Sequence, residues 1–169
     1  MFWQSADWLN RLKHDRESVE REFENTYGYP LPWCEVATLE EVESLAWNLS
    51  KKIGIEPPTI QVGVVLDRLW QRMSAGKSSE RGDFLGHPER DFEAIDSAVA
   101  RLDVPSDGRV VLLTNWNSPR DQDRQQALRM RMKSVIDSVF WNEDTFVIEE
   151  NAQWALVSMH TWPAFFWRA

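Results

Sequence analysis

The sequence has a single cysteine, Cys34, and no long apolar run. One cysteine excludes an internal disulfide and a cysteine-based zinc cluster. No stretch approaches the roughly 20 apolar residues that a membrane helix needs. The first residues, MFWQSADWLNRLKHDRE, lack the charged start and the apolar centre of a secretory signal. Together these features favour a reducing, cytoplasmic setting without membrane contact.

Motifs that specify a reaction are also scarce. The sequence has no G-x-S-x-G elbow, and Gly76-Lys77-Ser78 lacks the upstream glycine of a phosphate-binding loop. His14, His87 and His160 are far apart, and none has a second His or Cys at a metal-ligand spacing. Cys34 lies among aromatic and apolar residues, which favours a small buried side chain over a nucleophile. We therefore expect no metal and no cofactor.

Acidic residues outnumber basic ones, and the excess is concentrated near the N-terminus. The 169 residues include 27 Asp and Glu against 19 Lys and Arg, a net charge of −8. Residues 1–56 hold eleven acidic and six basic side chains, so this third of the chain has a charge of −5. Such a surface repels nucleic acid and attracts basic proteins, although acidity by itself also keeps a protein soluble.

Helical patterns dominate the chain before residue 105. Two short helices, or one long bent helix, are predicted first, with a cap at Ser5 and an end at Gly28. The linker that follows has two prolines and reads as extended. Thr38-Leu-Glu-Glu41 is a capping box that opens the clearest helix. Residues 59–74 fit both a strand and a helix, and their length favours the helix. A further helix is expected to start at Pro88.

Strand patterns appear after residue 105. Arg109–Thr114 is short, apolar and bounded by turn residues, and three more strands are predicted at Thr145–Glu149, Gln153–Met159 and Ala164–Trp167. The order predicts an α+β fold in one domain, 1–169. Its helical part, 1–105, packs on a mainly antiparallel sheet of about four strands within the strand-helix-three-strand part, 106–169.

Residues 119–140 are interpreted as a helix and form the one basic element of the chain. The apolar positions recur at helical spacing. RNA binding is one hypothesis for its basic side chains, and intramolecular pairing with the acidic N-terminal helices is the other. Because Asp residues alternate with the basic ones, pairing is favoured. The basic side chains are Arg120, Arg124, Arg129, Arg131 and Lys133.

Tryptophan is unusually frequent, with ten residues. Trp47, Trp70 and Trp154 lie within or beside apolar stripes and are predicted to be part of the core. Trp33 and Trp162 lie in a linker and a turn. An aromatic side chain at such a place either covers the core or anchors a partner.

The C-terminal pattern of strand, turn and W-A-L-V-x-x-H, Trp154 to His160, followed by an aromatic strand, resembles several immunity proteins of bacterial toxin systems. The resemblance covers about the last thirty residues. It implies a stoichiometric inhibitor that binds a cognate toxin domain without catalysis or cofactor.

The favoured hypothesis is thus a non-catalytic binding protein, an immunity protein that masks a basic toxin domain. One alternative is a small hydrolase-like enzyme with a site in residues 76–91, using His87 and Asp91. Another is a structural subunit of a larger assembly, and a homodimer is also possible. The candidate contact residues are Glu17, Glu20, Glu24, Glu40, Glu43, Trp33, His87 and Trp162.

Overall fold

One antiparallel sheet organises the part of the chain that the structure describes. The computed structural model describes residues 7–74, 83–86, 97, 100–117, 125–136, 144–159 and 164–169. The helices in these ranges are α1 (Asp7–His14), α2 (Arg16–Tyr27), α3 (Leu39–Lys52), α4 (Val62–Ser74) and α5 (Met132–Ile136). The strands are β1 (Cys34–Val36), β2 (Asp83–Gly86), β3 (Arg109–Thr114), β4 (Gln126–Arg131), β5 (Thr145–Glu149), β6 (Trp154–Ser158) and β7 (Ala164–Arg168).

The seven strands lie in the order β1-β4-β3-β5-β6-β7-β2, and each pair of neighbours is antiparallel. The α+β class is confirmed, as is the meander of the last three strands beside β3. The expected number of about four strands is wrong. Two of the additional strands, β1 and β2, come from the part predicted to be helical and extend the sheet at its two edges. The two-proline linker therefore ends in a strand.

The third additional strand lies where the basic helix is predicted. Residues Gln126–Arg131 form β4, which pairs with β3 and places Leu128 opposite Leu112, and only Met132–Ile136 is helical. Leu128 and Met130, two residues apart in β4, are buried on the same face of the sheet, as side-chain alternation along a strand requires. The helix prediction fails because pairing with β3 and β1 decides the structure of this segment, and local spacing does not show that pairing. Residues 118–124 and 137–143 lie outside the described ranges.

Local signals set the ends of the helices. The Thr38 N–H donates to Glu41 Oε2 (2.7 Å), and the Glu41 N–H donates to Thr38 Oγ1 (3.2 Å), which confirms the capping box. Gly28 ends α2 with a left-handed φ of 78°, which a glycine adopts without strain.

The helix predicted in 59–74 is confirmed as α4. Among the described residues, no helix has the length and apolarity to cross a membrane. Ser5 and Pro88 lie outside the described residues.

Helices cover both faces of the sheet, and two hydrophobic cores result. The first core lies between α1, α2 and one face, where Phe23 and Leu156 are buried. The second lies between α3, α4 and the other face, where Leu49 and Val157 are buried. Leu156 and Val157 are consecutive in β6 and contribute to different cores, as side-chain alternation along a strand requires. The sheet thus separates the chain into an α1–α2 side and an α3–α4 side.

Candidate functional site

The sheet separates the predicted acidic residues into two groups. Glu17, Glu20 and Glu24 lie on α2, which packs on the first core, while Glu40 and Glu43 lie on α3, which packs on the second. We call them the α2 carboxylates and the α3 carboxylates. Because the groups lie on opposite sides of the sheet, one flat partner surface does not contact both.

The α2 carboxylates are largely engaged within their own helix. Glu17 Oε1 lies 3.0 Å from Arg21 Nη2, and Glu20 Oε1 lies 3.8 Å from Arg16 Nη1. Both are pairs four residues apart on an exposed surface, where an ion pair adds little stability. Each nevertheless brings a positive charge next to the carboxylate and so weakens its attraction for a basic partner.

The α3 carboxylates lie next to exposed apolar side chains. Neither Glu40 nor Glu43 has an ion-pair partner within 4.0 Å among the described residues. Trp47, one turn further along α3, is 40% exposed, and Ile60, just before α4, is 49% exposed. Exposed apolar groups rimmed by charges are typical of protein-binding surfaces. We call the outward side of these helices the α3–α4 face: Leu39, Glu40, Glu43, Trp47, Lys51, Ile60 and Val64.

A cavity of about 410 Å³ lies beside the Trp47 indole. It is open to solvent and bounded by the outward side of α3 and by the segment that leads into α4. The polar lining is supplied by short side chains and carboxylates, and the apolar lining by Trp47 and Ile60. A partner side chain that enters it would contact both kinds of group. The lining residues are Glu40, Glu43, Ser44, Trp47, Asn48 and Ile60.

Arg129 connects the sheet to the start of α3. Its guanidinium contacts Glu35 of β1 (Nη2 to Oε2, 2.5 Å) and Glu41 of α3 (Nη1 to Oε1, 3.1 Å). Arg131 and Lys133 both contact Asp107, the latter at 3.0 Å, and Lys133 holds the pKa of Asp107 below its ordinary value. These basic side chains are thus engaged with acidic residues of the same chain.

A larger cavity, of about 650 Å³, lies between α4 and the end of β3. The Trp116 indole N–H on its wall donates to the Gln126 carbonyl (2.8 Å). Gly63 of α4 faces the Trp116 carbonyl, since a Cβ at this position would lie 3.1 Å from that oxygen. The charged residues of its lining are Asp67 and Arg68, one of each sign. The cavity therefore offers polar contacts without a net charge.

Cys34 is fully buried in β1, and burial raises the pKa of its thiol to about 11. The Arg16 guanidinium donates to the Cys34 carbonyl oxygen (2.9 Å). A neutral, inaccessible thiol is a poor nucleophile at physiological pH. In the described ranges, no group of three His, Cys, Asp or Glu side chains is placed to hold a metal ion.

Of the remaining predicted contact residues, the structure describes only Trp33. Trp33 precedes β1 and is exposed, with the Arg131 guanidinium 5.8 Å from its ring centroid. His87, Asp91 and Trp162 lie outside the described residues. So does most of the alternative enzyme site, because only Asp83–Gly86 of residues 76–91 is described.

Sequence reasoning misplaced Trp47. The predicted core position is correct for Trp154, which is buried, and Trp70 packs against the second core. The prediction is wrong for Trp47, which is exposed. A helical projection would have shown the error. The stripe that is buried includes Leu45 and Leu49, and Trp47 points away from it on the side of the α3 carboxylates.

No protein-family model, no curated protein and no solved structure matches this chain.

Proposed function

We propose that this protein is a non-catalytic binding protein, an immunity protein that neutralises a cognate toxin by covering a basic surface of it. The observation that carries the proposal is the exposed Trp47 on the α3–α4 face, beside the carboxylates of Glu40 and Glu43, which have no ion-pair partner in the described part of the chain. Tryptophan is among the residues that contribute most to binding at protein interfaces. Carboxylates without an internal partner attract a basic protein.

The rigidity of α3 supports a role in binding. The helix begins with a complete capping box, and its inward side chains Leu45 and Leu49 are buried in the second core. Side chains held on a packed helix lose little further freedom when a partner binds. The α3 carboxylates and Trp47 are therefore presented in a nearly fixed arrangement.

The charge of the whole chain acts in the same direction. A net charge of −8 attracts a basic toxin domain over a distance of about one Debye length, roughly 8 Å at physiological salt. The association rate is expected to fall as salt is added. The dissociation rate depends more on the buried contacts of Trp47.

The test is co-expression with the product of the adjacent reading frame, followed by isothermal titration of the purified pair. Trp47→Ala is expected to weaken binding about thirtyfold, the effect of removing a central aromatic anchor. Glu40→Gln with Glu43→Gln is expected to slow association and to reduce its salt dependence. The matched control is Glu17→Gln with Glu20→Gln on α2, which removes the same net charge on the opposite side of the sheet and should slow association much less.

Two results would count against the proposal. The first is that the product of the adjacent reading frame does not bind this protein at micromolar concentration, which leaves the proposal without its expected partner. Binding that is lost in the α2 control and kept in the α3 variants assigns the interaction to the opposite side of the sheet.

A further inference from the structure

The charges on the α3–α4 face of one copy complement those on the same face of a second copy related by a two-fold axis. We infer that a second copy of this chain binds there and forms a two-fold symmetric homodimer, in which the two α3 helices pack antiparallel with Trp47 at the axis. Such an interface is isologous, so each contact made by one protomer is repeated by the other.

The charges of α3 are placed symmetrically about Trp47. Glu43 precedes it by four residues and Lys51 follows it by four, which puts each about 6 Å from Trp47 along the helix axis. Residues four apart lie on the same side of a helix. Lys51 Nζ lies 6.0 Å from the centroid of the Trp47 ring. Outward side chains of α3 thus run from negative through aromatic to positive.

Neither of the two charges has an ion-pair partner in the part of the protomer that the structure describes. Among the described residues, no acidic side chain lies within 4.0 Å of Lys51 and no basic one lies within 4.0 Å of Glu43. The helix dipole accounts for basic residues near the end of α3. It does not account for an exposed tryptophan between Glu43 and Lys51.

An antiparallel arrangement satisfies both charges at once. When two α3 helices cross at Trp47 in opposite directions, Glu43 of each protomer lies opposite Lys51 of the other. A parallel arrangement would instead place Glu43 against Glu43 and Lys51 against Lys51. The charge pattern therefore favours the antiparallel orientation of the second copy.

The cavity beside Trp47 provides room for the second indole. It has a volume of about 410 Å³ and is lined by Ser44, Asn48 and Ile60 besides Trp47 itself. Ser44 and Asn48 are short side chains that let a second helix approach closely. Each Trp47 can thus be buried in the cavity of the other protomer, which removes two exposed indoles from water.

This homodimer does not depend on the toxin proposal. The second copy and the toxin would occupy the same surface, so that binding of one excludes the other. A protein that binds a toxin and stays monomeric would overturn the homodimer alone, and a dimer that binds no toxin would overturn the toxin proposal alone.

The first experiment is sedimentation equilibrium of the full chain from about 1 μM to about 1 mM, the range in which a small interface associates. The expected result is a mass that rises with concentration from 19.8 kDa towards twice this value. Trp47→Ala is expected to raise the dimer dissociation constant at least about thirtyfold. Circular dichroism confirms that the variant is folded.

The decisive experiment exchanges the charges. Glu43→Lys places two pairs of like charges in the interface, and so does Lys51→Glu, so each variant alone is expected to be monomeric. An equal mixture of the two is expected to dimerise, because every Lys then lies opposite a Glu. The matched controls are Glu24→Lys and Lys13→Glu on the α1–α2 side, which should leave the dissociation constant unchanged.

Three results would overturn the inference. These are a monomer at every concentration, a dimer that is insensitive to Trp47→Ala, and an equal mixture of the charge variants that stays monomeric while the original chain dimerises. The last two would place the dimer contact on another surface.

Discussion

We expect the buried thiol of Cys34 to make the stability of this protein sensitive to alkaline pH. Its side chain is 0% exposed, and burial raises the pKa of the thiol from 9.0 to about 11. The nearby Arg16 guanidinium acts in the opposite direction and is outweighed by burial. A thiol in the unfolded chain has no such environment and ionises near its ordinary pKa.

The sign of the effect follows from where the proton is held. Below pH 9 the thiol is neutral in both states and does not affect the pH dependence. Between pH 9 and about 11 the unfolded chain releases a proton that the folded chain keeps, so the free energy of unfolding falls as the pH rises. One pH unit in this window corresponds to about 1.4 kcal/mol, and the loss levels off near 2.7 kcal/mol above pH 11.

The assay compares urea unfolding of the original protein with that of Cys34→Ala, at pH 7 and at pH 10. The other ionisable groups are the same in both proteins, so their contributions cancel in the comparison. At pH 7 the variant is expected to be less stable by about 1 kcal/mol, because a buried sulfur is lost from the core. Between pH 7 and pH 10, the free energy of unfolding of the original protein is expected to fall by about 1.4 kcal/mol more than that of the variant.

The reasoning is refuted if the two proteins lose the same stability between pH 7 and pH 10. An independent check is the rate at which a thiol reagent modifies Cys34 at pH 8. We expect the folded protein to react orders of magnitude more slowly than the urea-unfolded chain, because the thiolate is the reactive form. Equal rates would show that the thiol is accessible.

Two further predictions concern polar contacts that hold α3 in place, both measured by urea unfolding. Thr38→Ala removes the N-cap hydroxyl and is expected to cost about 1 kcal/mol, whereas Thr38→Ser should cost little because it keeps the hydroxyl; equal losses would contradict the capping role. Arg129→Met removes the contacts with Glu35 and Glu41 and is expected to cost about 1 kcal/mol at low salt and less at high salt, since these side chains are partly exposed. Arg68→Met, which breaks no ion pair among the described residues, is the control, and an equal loss in both variants would show that the ion pairs contribute nothing.

Short-range signals predicted much of the fold correctly. The capping box at Thr38 and the glycine at Gly28 set the ends of helices because their hydrogen bonds join residues a few positions apart. The apolar runs of β5, β6 and β7 predict three consecutive strands, which pair as a meander beside β3. None of these features requires knowledge of where the rest of the chain lies.

The errors concern segments whose structure depends on distant partners. β1 is three residues long and is a strand because it pairs with β4, about ninety residues away in sequence, with Cys34 opposite Met130. β4 has a pattern compatible with a helix, and its pairing with β3 and β1 decides between the two structures. Propensity and periodicity are weak where hydrogen bonding to another strand outweighs them.

For the candidate site, the acidity of residues 1–56, the helical state of α3 and the presence of Glu40, Glu43 and Trp47 along it follow from the sequence alone. The packing of the helices on the sheet places the α2 and α3 carboxylates on opposite sides and leaves Trp47 exposed, and neither result can be read from the sequence. The reason is that composition and helical spacing are properties of neighbouring residues. Which side of a helix meets the core depends on how that helix packs against strands far away in the chain.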